Sequence, residues 1–323
     1  MVTGRADLEP GLGTGSTGLS VSLAEAAEVC SGHSFGRGEP YLDRLERPNP
    51  ASFASSSARE VPFRPIVDPR DVTVLLATIN ERASLPSLMA DIERACGVGV
   101  QLVVVDDGSS DGTREFLQGA SGMSGSLRCI FNSRPQTIVG AHVQGITSAR
   151  TPYIIVMDSD GQHPPETIPR ILDGLRQGQD VVIGTRFGPG GSTGGRTAFR
   201  GLVSRVAAFL IQVTVRNTRS ISDPTSGFFG LRRESLEPFT RDLRGYETLV
   251  FVLAMMHAPR VAEVPYAFRE RAGGESKVLR GFSFFRVFFT QLVAAKRTEL
   301  DARRREAERS ADHPQPTIGR SQV

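Results

Sequence analysis

Five carboxylates stand where a buried apolar run gives way to a turn. Asp158-Ser159-Asp160 follows the run 153–157, Asp106-Asp107-Gly108 follows 102–105, and Asn80-Glu81 follows 72–77. Two carboxylates set side by side repel and call for a counter-charge. A hard divalent cation with oxygen ligands supplies it, and such a cation also bridges diphosphate oxygens. Gln162 and His163 follow within reach of Asp158 and Asp160. An ordinary acidic turn has the same spelling, and the strand before it brings the metal reading to equal weight. Asp107 reads as a contact to a base or ribose, whereas Asp111 or Ser110 reads as the cap of the next helix. Glu81 alone is equally a helix-starting residue. Three carboxylate-bearing strand ends on one sheet edge say more than any one of them.

Positive charge is available to face these groups. Arg186 ends the run 180–184, Arg205 lies in the segment 199–215, and Arg271 and Lys277 flank a glycine-containing loop. Arginine is a fixed, always-charged fork suited to phosphate. A loop with two cations could close on a diphosphate. Surface salt bridges and a solvated linker are the plain alternatives. His142 and His257 lie on apolar patterns and read as packed. Neither a phosphate-loop nor a dinucleotide glycine fingerprint follows the first strand, and no Ser-His-Asp order is evident.

The elements that must position these residues alternate. Apolar runs at 72–77, 102–105, 127–131, 153–157 and 180–184 predict buried strands. Between them, Leu85, Leu88, Met89 and Ile92 recur at helical spacing, further helices start at 111 and 138, and Pro164-Pro165 opens another. This order predicts an α/β fold with a mostly parallel sheet covered on both faces, whose ligands bind beyond the carboxyl ends of the strands. Later segments predict a helix over 199–215, strands over 228–231 and 260–268, a helix over 248–257, and an unusually aromatic helix over 281–295 with Phe282, Phe284, Phe285, Phe288 and Phe289.

Composition bounds the rest. Of 323 residues, 39% are hydrophobic and 23% charged, and the net charge is only +3, which argues against the whole chain being a nucleic-acid binder. Residues 1–68 are rich in Gly, Ser, Pro and charge and read as a disordered arm. Residues 69–296 read as the folded domain and 297–323 as a charged, largely disordered tail. Cys30, Cys96 and Cys129 have no metal-ligand spacing, and the last two read as reduced packing residues in a cytosolic protein. No secretory signal is expected, and no apolar run approaches the roughly 20 residues a membrane span takes.

Taken in order, Asn80-Glu81, the segment 104–113 (Val-Val-Asp-Asp-Gly-Ser-Ser-Asp-Gly-Thr), the segment 157–166 (Met-Asp-Ser-Asp-Gly-Gln-His-Pro-Pro-Glu), Gly184-Thr185-Arg186, Asp223-Pro224-Thr225-Ser226-Gly227-Phe228 and Gly274-Glu275-Ser276-Lys277 resemble family-2 glycosyltransferases, the dolichol- or polyprenyl-phosphate mannosyltransferases above all. The likeness covers about residues 70–295. It implies a GT-A fold, a Rossmann-like nucleotide-diphospho-sugar transferase architecture. It implies inverting transfer of a hexose, mannose from GDP-mannose first or else a UDP-hexose, to a polyprenyl or dolichyl phosphate. It implies that Asp158, Asp160 and Gln162 surround Mg²⁺ or Mn²⁺, that Glu81, Val105 and Asp107 bind the nucleotide, and that Ser159 lines the donor site. Arg186, Arg271 and Lys277 would hold phosphate groups, and Arg205 would face the acceptor phosphate. Helices at about 198–215 and 281–295 would lie at a membrane interface, placing the protein peripherally on the cytoplasmic face with room for a membrane-protein subunit. The chain departs from the pattern at Ala77-Thr78-Ile79-Asn80-Glu81, where the family has Pro-x-Tyr-Asn-Glu, at 134–140, and at Phe251, where an acidic residue is usual.

A phosphate acceptor, with its second pKa near ~6, needs no general base. A hydroxyl acceptor would need one, and Asp223 is the candidate. The alternatives are therefore a soluble family-2 transferase acting on a hydroxyl, and a non-catalytic nucleotide-sugar-binding protein.

Overall fold

A computed structural model describes residues 68–187, 190–192, 198–236, 247–269 and 282–312. Seven strands form one sheet in the order β3-β2-β1-β4-β6-β5-β7. They are β1 (Val72–Thr78), β2 (Gln101–Asp106), β3 (Leu127–Phe131), β4 (Tyr153–Asp158), β5 (Val181–Thr185), β6 (Phe229–Arg232) and β7 (Val261–Pro265). All run parallel except β6, which pairs antiparallel with both β4 and β5. The helices are α1 (Leu85–Cys96), α2 (Thr113–Met123), α3 (Ile138–Ser148), α4 (Ile168–Arg176), α5 (Ala198–Thr214), α6 (Thr248–Met255) and α7 (Phe282–Asp312).

The sheet is covered on both faces, which is why its central strands read as uninterrupted apolar runs. On one face Val72, Val74 and Leu76 pack with Leu88 and Ile92 of α1, Phe116 of α2 and Ile171 of α4. On the other, Leu75, Val103 and Val105 pack with Ala141 of α3 and Leu249 and Val252 of α6. Helix α3 sits hard against β1: a Cβ on Gly145 would lie 2.1 Å from Leu75 Cδ1. A further layer joins Ile211 of α5 and Val215 just after it, Phe251 and Met255 of α6, and Phe288 and Leu292 of α7. Cys96 is buried, Cys129 half-buried, and both are free thiols that burial pushes up to about 12.

The predicted strands and helices are all present, with ends shifted by a residue or two, except at 260–268 and at the last helix. β7 stops at Pro265, which removes a ladder donor. Helix α7 runs on to Asp312, past the boundary drawn at 296. Its charged half is good helix-forming sequence, rich in Ala, Arg and Glu. It is also pinned: Thr298 and Glu299 are buried, Glu299 Oε1 accepts from Arg216 N at 3.1 Å, and Glu306 pairs with His257 at 2.8 Å. His257 is thus an exposed ion-pair partner and not a packed residue. Cys30 and the N-terminal segment 1–67 lie outside the described residues, as do Arg271 and Lys277.

Candidate active site

The carboxyl ends of β1, β2 and β4 lie side by side, because β1 is flanked by β2 and β4 in the sheet. The loops after β1 and β2 are laced together. Asn80 N donates to Ser109 Oγ at 2.9 Å, and Asn80 Oδ1 accepts from Ser110 N at 2.7 Å. Asn80 adopts φ 53°, a left-handed conformation that Asn tolerates better than most residues. Glu81 N donates to Thr113 Oγ1, and Arg82 N to Asp111 Oδ2. Asp111 also accepts from Thr113 N, the first residue of α2, but from one position before the N-cap, which is Gly112 and not the expected Asp111 or Ser110.

Asp107 is buried, and its carboxylate is taken from within. Its Oδ1 accepts from Asn132 Nδ2 at 2.9 Å, and both oxygens lie 3.0 Å from Gln136 N. It therefore orders the segment after β3. Asp106 is fully buried and bridged to Arg114 at 3.1 Å. Val105 is buried within the core of the sheet. Ser159, expected to line the donor site, spends its hydroxyl on Ala77 O at 2.9 Å, stitching the end of β4 to β1. Ser84 does what the sequence did not show. Its hydroxyl donates to Glu81 Oε2 at 2.8 Å and also lies 3.1 Å from Ser159 O, drawing Glu81 toward the aspartate pair.

Asp158 is held from two sides. His163, itself buried, accepts from Asp158 N through Nδ1 at 3.0 Å, which leaves Nε2–H facing Asp158 Oδ2 at 3.7 Å. The His163 ring stacks on Phe228 with centroids 5.1 Å apart. Opposite, Gly227 lies close against it: a Cβ there would come 3.0 Å from Asp158 Oδ1, so the carboxylate would have to shift by a few tenths of an ångström. Asp160 is buried and accepts from Gln162 N at 3.0 Å. Gln162 also grips the segment beyond β7, its backbone oxygen accepting from Arg269 N at 2.9 Å and its Nε2 donating to Arg269 O. Glu166 pairs with Arg269 at 2.8 Å.

Arg186 is not a free phosphate fork here. It is buried, and it meets Asp223 through Nε and one terminal nitrogen, both at 2.7 Å, with Thr225 Oγ1 at 3.0 Å. Burial works against its charge, but the hydrogen bonds and charge of Asp223 outweigh it and hold the guanidinium pKa above its usual value. Asp223 is fully buried, and both its carboxylate oxygens are engaged by that fork. Glu247, just before α6, is a carboxyl whose pKa is raised. Burial pushes it up to about 8; Arg186 opposes the shift, and Asp223 and Asp158 add to it. It lines a small cleft of about 10 Å³, room for about one water, with Ile211, Phe251, Phe288 and Gln291. Gln291 Oε1 is buried there without a hydrogen-bond partner among the described residues. Arg205 is exposed on α5.

Glu81, Asp158, Ser159, Asp160 and Gln162 are thus brought together, while Asp107 and Arg186 face internal partners. No cluster of three His, Cys, Asp or Glu side chains fit to hold a metal occurs among the described residues. Mg²⁺ commonly takes one or two carboxylates and completes its shell with substrate phosphates and water. Asp158, Asp160 and the Gln162 amide oxygen are a hard, all-oxygen set of that kind.

The family model for glycosyl transferase family 2 matches residues 73–239, which takes in β1 through β6 and every strand end described above. The chain belongs to this family. It is 36% identical over 215 residues to a dolichol-phosphate mannosyltransferase of Pyrococcus furiosus, covering 66% of this chain and 60% of that enzyme. It is 33% identical over 210 residues to an undecaprenyl-phosphate 4-deoxy-4-formamido-L-arabinose transferase of Pseudomonas aeruginosa, covering 64% of this chain and 60% of the relative. This family-2 chain therefore spans less than two thirds of either relative's length. Among solved structures, glucosyl-3-phosphoglycerate synthase from Mycobacterium tuberculosis, in complex with Mn²⁺, uridine diphosphate and glucosyl-3-phosphoglycerate, superposes with a TM-score of 0.52 at 21% identity, covering 70% of this chain and 78% of that one. The fold is GT-A, as the motif order implies. The two enzymes named above move different sugars, so the family does not fix the donor.

Proposed function

We propose that this glycosyltransferase moves a hexose from a nucleotide-sugar to a polyprenyl phosphate at a membrane surface, inverting the anomeric centre. The likeness to two polyprenyl-phosphate sugar transferases supports the acceptor class, and GDP-mannose is the first donor to test. The observation that carries a lipid acceptor over a soluble one is the outward surface of α5 and α7. Val206, Phe209 and Val213 on α5 are at least half exposed, as are Phe289 and Val293 on α7. Arg205 and Arg286 are exposed beside them. Apolar and cationic residues so mixed suit a bilayer interface. No helix among the described residues is long and apolar enough to cross a membrane.

The chemistry follows from phosphate. The acceptor phosphate oxygen forms a bond to the anomeric carbon while the bond from that carbon to the diphosphate breaks, and the nucleoside diphosphate leaves with the electron pair. Bound Mg²⁺ or Mn²⁺, held by Asp158, Asp160 and Gln162, would supply charge neutralisation for the diphosphate. Ser84 holds Glu81 beside the same edge for the nucleoside. Arg205 would meet the acceptor phosphate. No base is needed, because the acceptor is already largely dianionic at neutral pH. A hydroxyl acceptor would require one, and with Asp223 engaged by Arg186, Glu247 is the carboxyl whose raised pKa suits that task.

The deciding experiment screens GDP- and UDP-sugars against a short polyprenyl phosphate, read by mass spectrometry. A prenyl-phosphate hexose formed only with Mg²⁺ or Mn²⁺ is the expected product. Transfer to hydroxyl acceptors alone would shift the reading to a soluble transferase. Donor binding without any turnover would make it a binding protein.

A further inference from the structure

The outward face of α7 does not end with its aromatic half. At about 100° per residue, Arg286, Arg297 and Arg304 fall within roughly 20° of one line along the helix. Phe289, Val293 and Leu300 lie within about 60° to one side of that line. All six are exposed, the three apolar residues at 53%, 53% and 47%. The stripe is about 27 Å long. Of the two carboxylates between Arg286 and Arg304, Glu299 is buried and Asp301 is half-buried about 60° to the other side of the line from the apolar residues. Among the described residues none of the three arginines makes an ion pair, whereas Lys296 nearby does, with Glu299 at 2.6 Å. The inner side of the same helix is fixed to the domain through Phe288, Leu292, Ala295 and Glu299. The stripe is therefore held outward on a rigid base.

We propose that this stripe docks on a bilayer rich in anionic phospholipid, with Phe289, Val293 and Leu300 entering the interface and Arg286, Arg297 and Arg304 pairing with headgroup phosphates. This rests on the membrane-surface reading above and adds the lipid class and the part of the helix beyond residue 296. Charge complementarity selects the occupant: three unpaired arginines beside an apolar line suit an anionic surface and would repel the same stripe on a second copy.

The test is co-sedimentation of the full chain with vesicles of phosphatidylcholine alone and of phosphatidylcholine with phosphatidylglycerol, free of polyprenyl phosphate. Each cation near an anionic surface is worth about a factor of five in partitioning. The variant R297Q/R304Q should therefore lose on the order of 25-fold in binding to the anionic vesicles. V293D should weaken binding to both kinds of vesicle. Equal partitioning onto both vesicles by the native chain, or unchanged binding by R297Q/R304Q, would overturn the proposal. So would a concentration-dependent dimer that the same variant disperses, since the stripe would then serve a second copy. Transfer to a short polyprenyl phosphate in detergent micelles should be unchanged in R297Q/R304Q. If the native chain binds anionic vesicles but transfers to no polyprenyl phosphate, the enzymatic reading fails and the docking surface stands.

Discussion

Arg186 and Asp223 form a buried, two-pronged ion pair, each contact 2.7 Å long, that ties the end of β5 to the loop entering β6. Breaking a buried pair leaves an uncompensated charge and costs about 3–5 kcal/mol. Asp223→Ala should therefore unfold at markedly lower denaturant, by roughly that free energy. A loss of transfer with unchanged stability would instead mean that Asp223 acts on substrate.

Gly227→Ala tests the wall against Asp158. The added methyl would lie 3.0 Å from the carboxylate and must displace it. Groups that orient a metal ligand typically contribute about 10–100-fold to metal affinity or activity. The Mn²⁺ concentration for half-maximal transfer should rise within that range while the thermal midpoint stays near the native value. An unchanged Mn²⁺ dependence would mean that Asp158 does not ligate.

Asp160→Ala should abolish metal-dependent transfer. Activity that persists with the same metal requirement removes Asp160 from the site.

Arg205→Ala should raise the KM for the acceptor more than that for the donor, as measured by varying each at saturation of the other. The reverse pattern would move Arg205 to the donor side.

Glu247 gives a pH signature. Its carboxyl has an unperturbed pKa of 4.5 and reaches about 8 in the fold, where Arg186, Asp223 and Asp158 act on it electrostatically and Gln291 shares its cleft. The folded chain thus holds a proton that the unfolded chain releases between these values. The stability linked to that proton is full below 4.5 and is lost as pH rises through about 8. Glu247→Gln keeps the neutral form at every pH. Its melting temperature relative to the native chain should climb from pH 5 to pH 8 and level off above. Parallel curves would place Glu247 in contact with solvent.

The sheet was legible because strands buried on both faces leave unbroken apolar runs, as 72–77 and 153–157 do. The aspartate pair was legible because it follows such a run. What stayed hidden depends on partners far along the chain. Asp107 reads as a ligand group until Asn132 and Gln136 are seen to claim its oxygens. Arg186 reads as a phosphate fork until Asp223 is placed against it. Ser84 carries no motif at all, and its role exists only because α1 starts beneath the end of β4. Helix α7 looked like a tail past 296 because alternating charge resembles a solvated segment. Only the seating of Glu299 and the His257–Glu306 pair reveal it as structure.

Among the described strands only β6 is reversed, and it sets an order of assembly. Because it runs against its neighbours, the loop that precedes it, carrying Asp223 and Gly227, arrives at the same edge as Asp158 and Asp160. A chain still emerging from the ribosome holds both aspartates, their strand and everything on the β1–β3 side long before residue 229 exists. It lacks the glycine that confines Asp158 and the carboxylate that anchors Arg186. Possession of the signature residues and possession of a finished site are separated in time by some seventy residues of synthesis, about 4–14 seconds at about 5–20 residues per second.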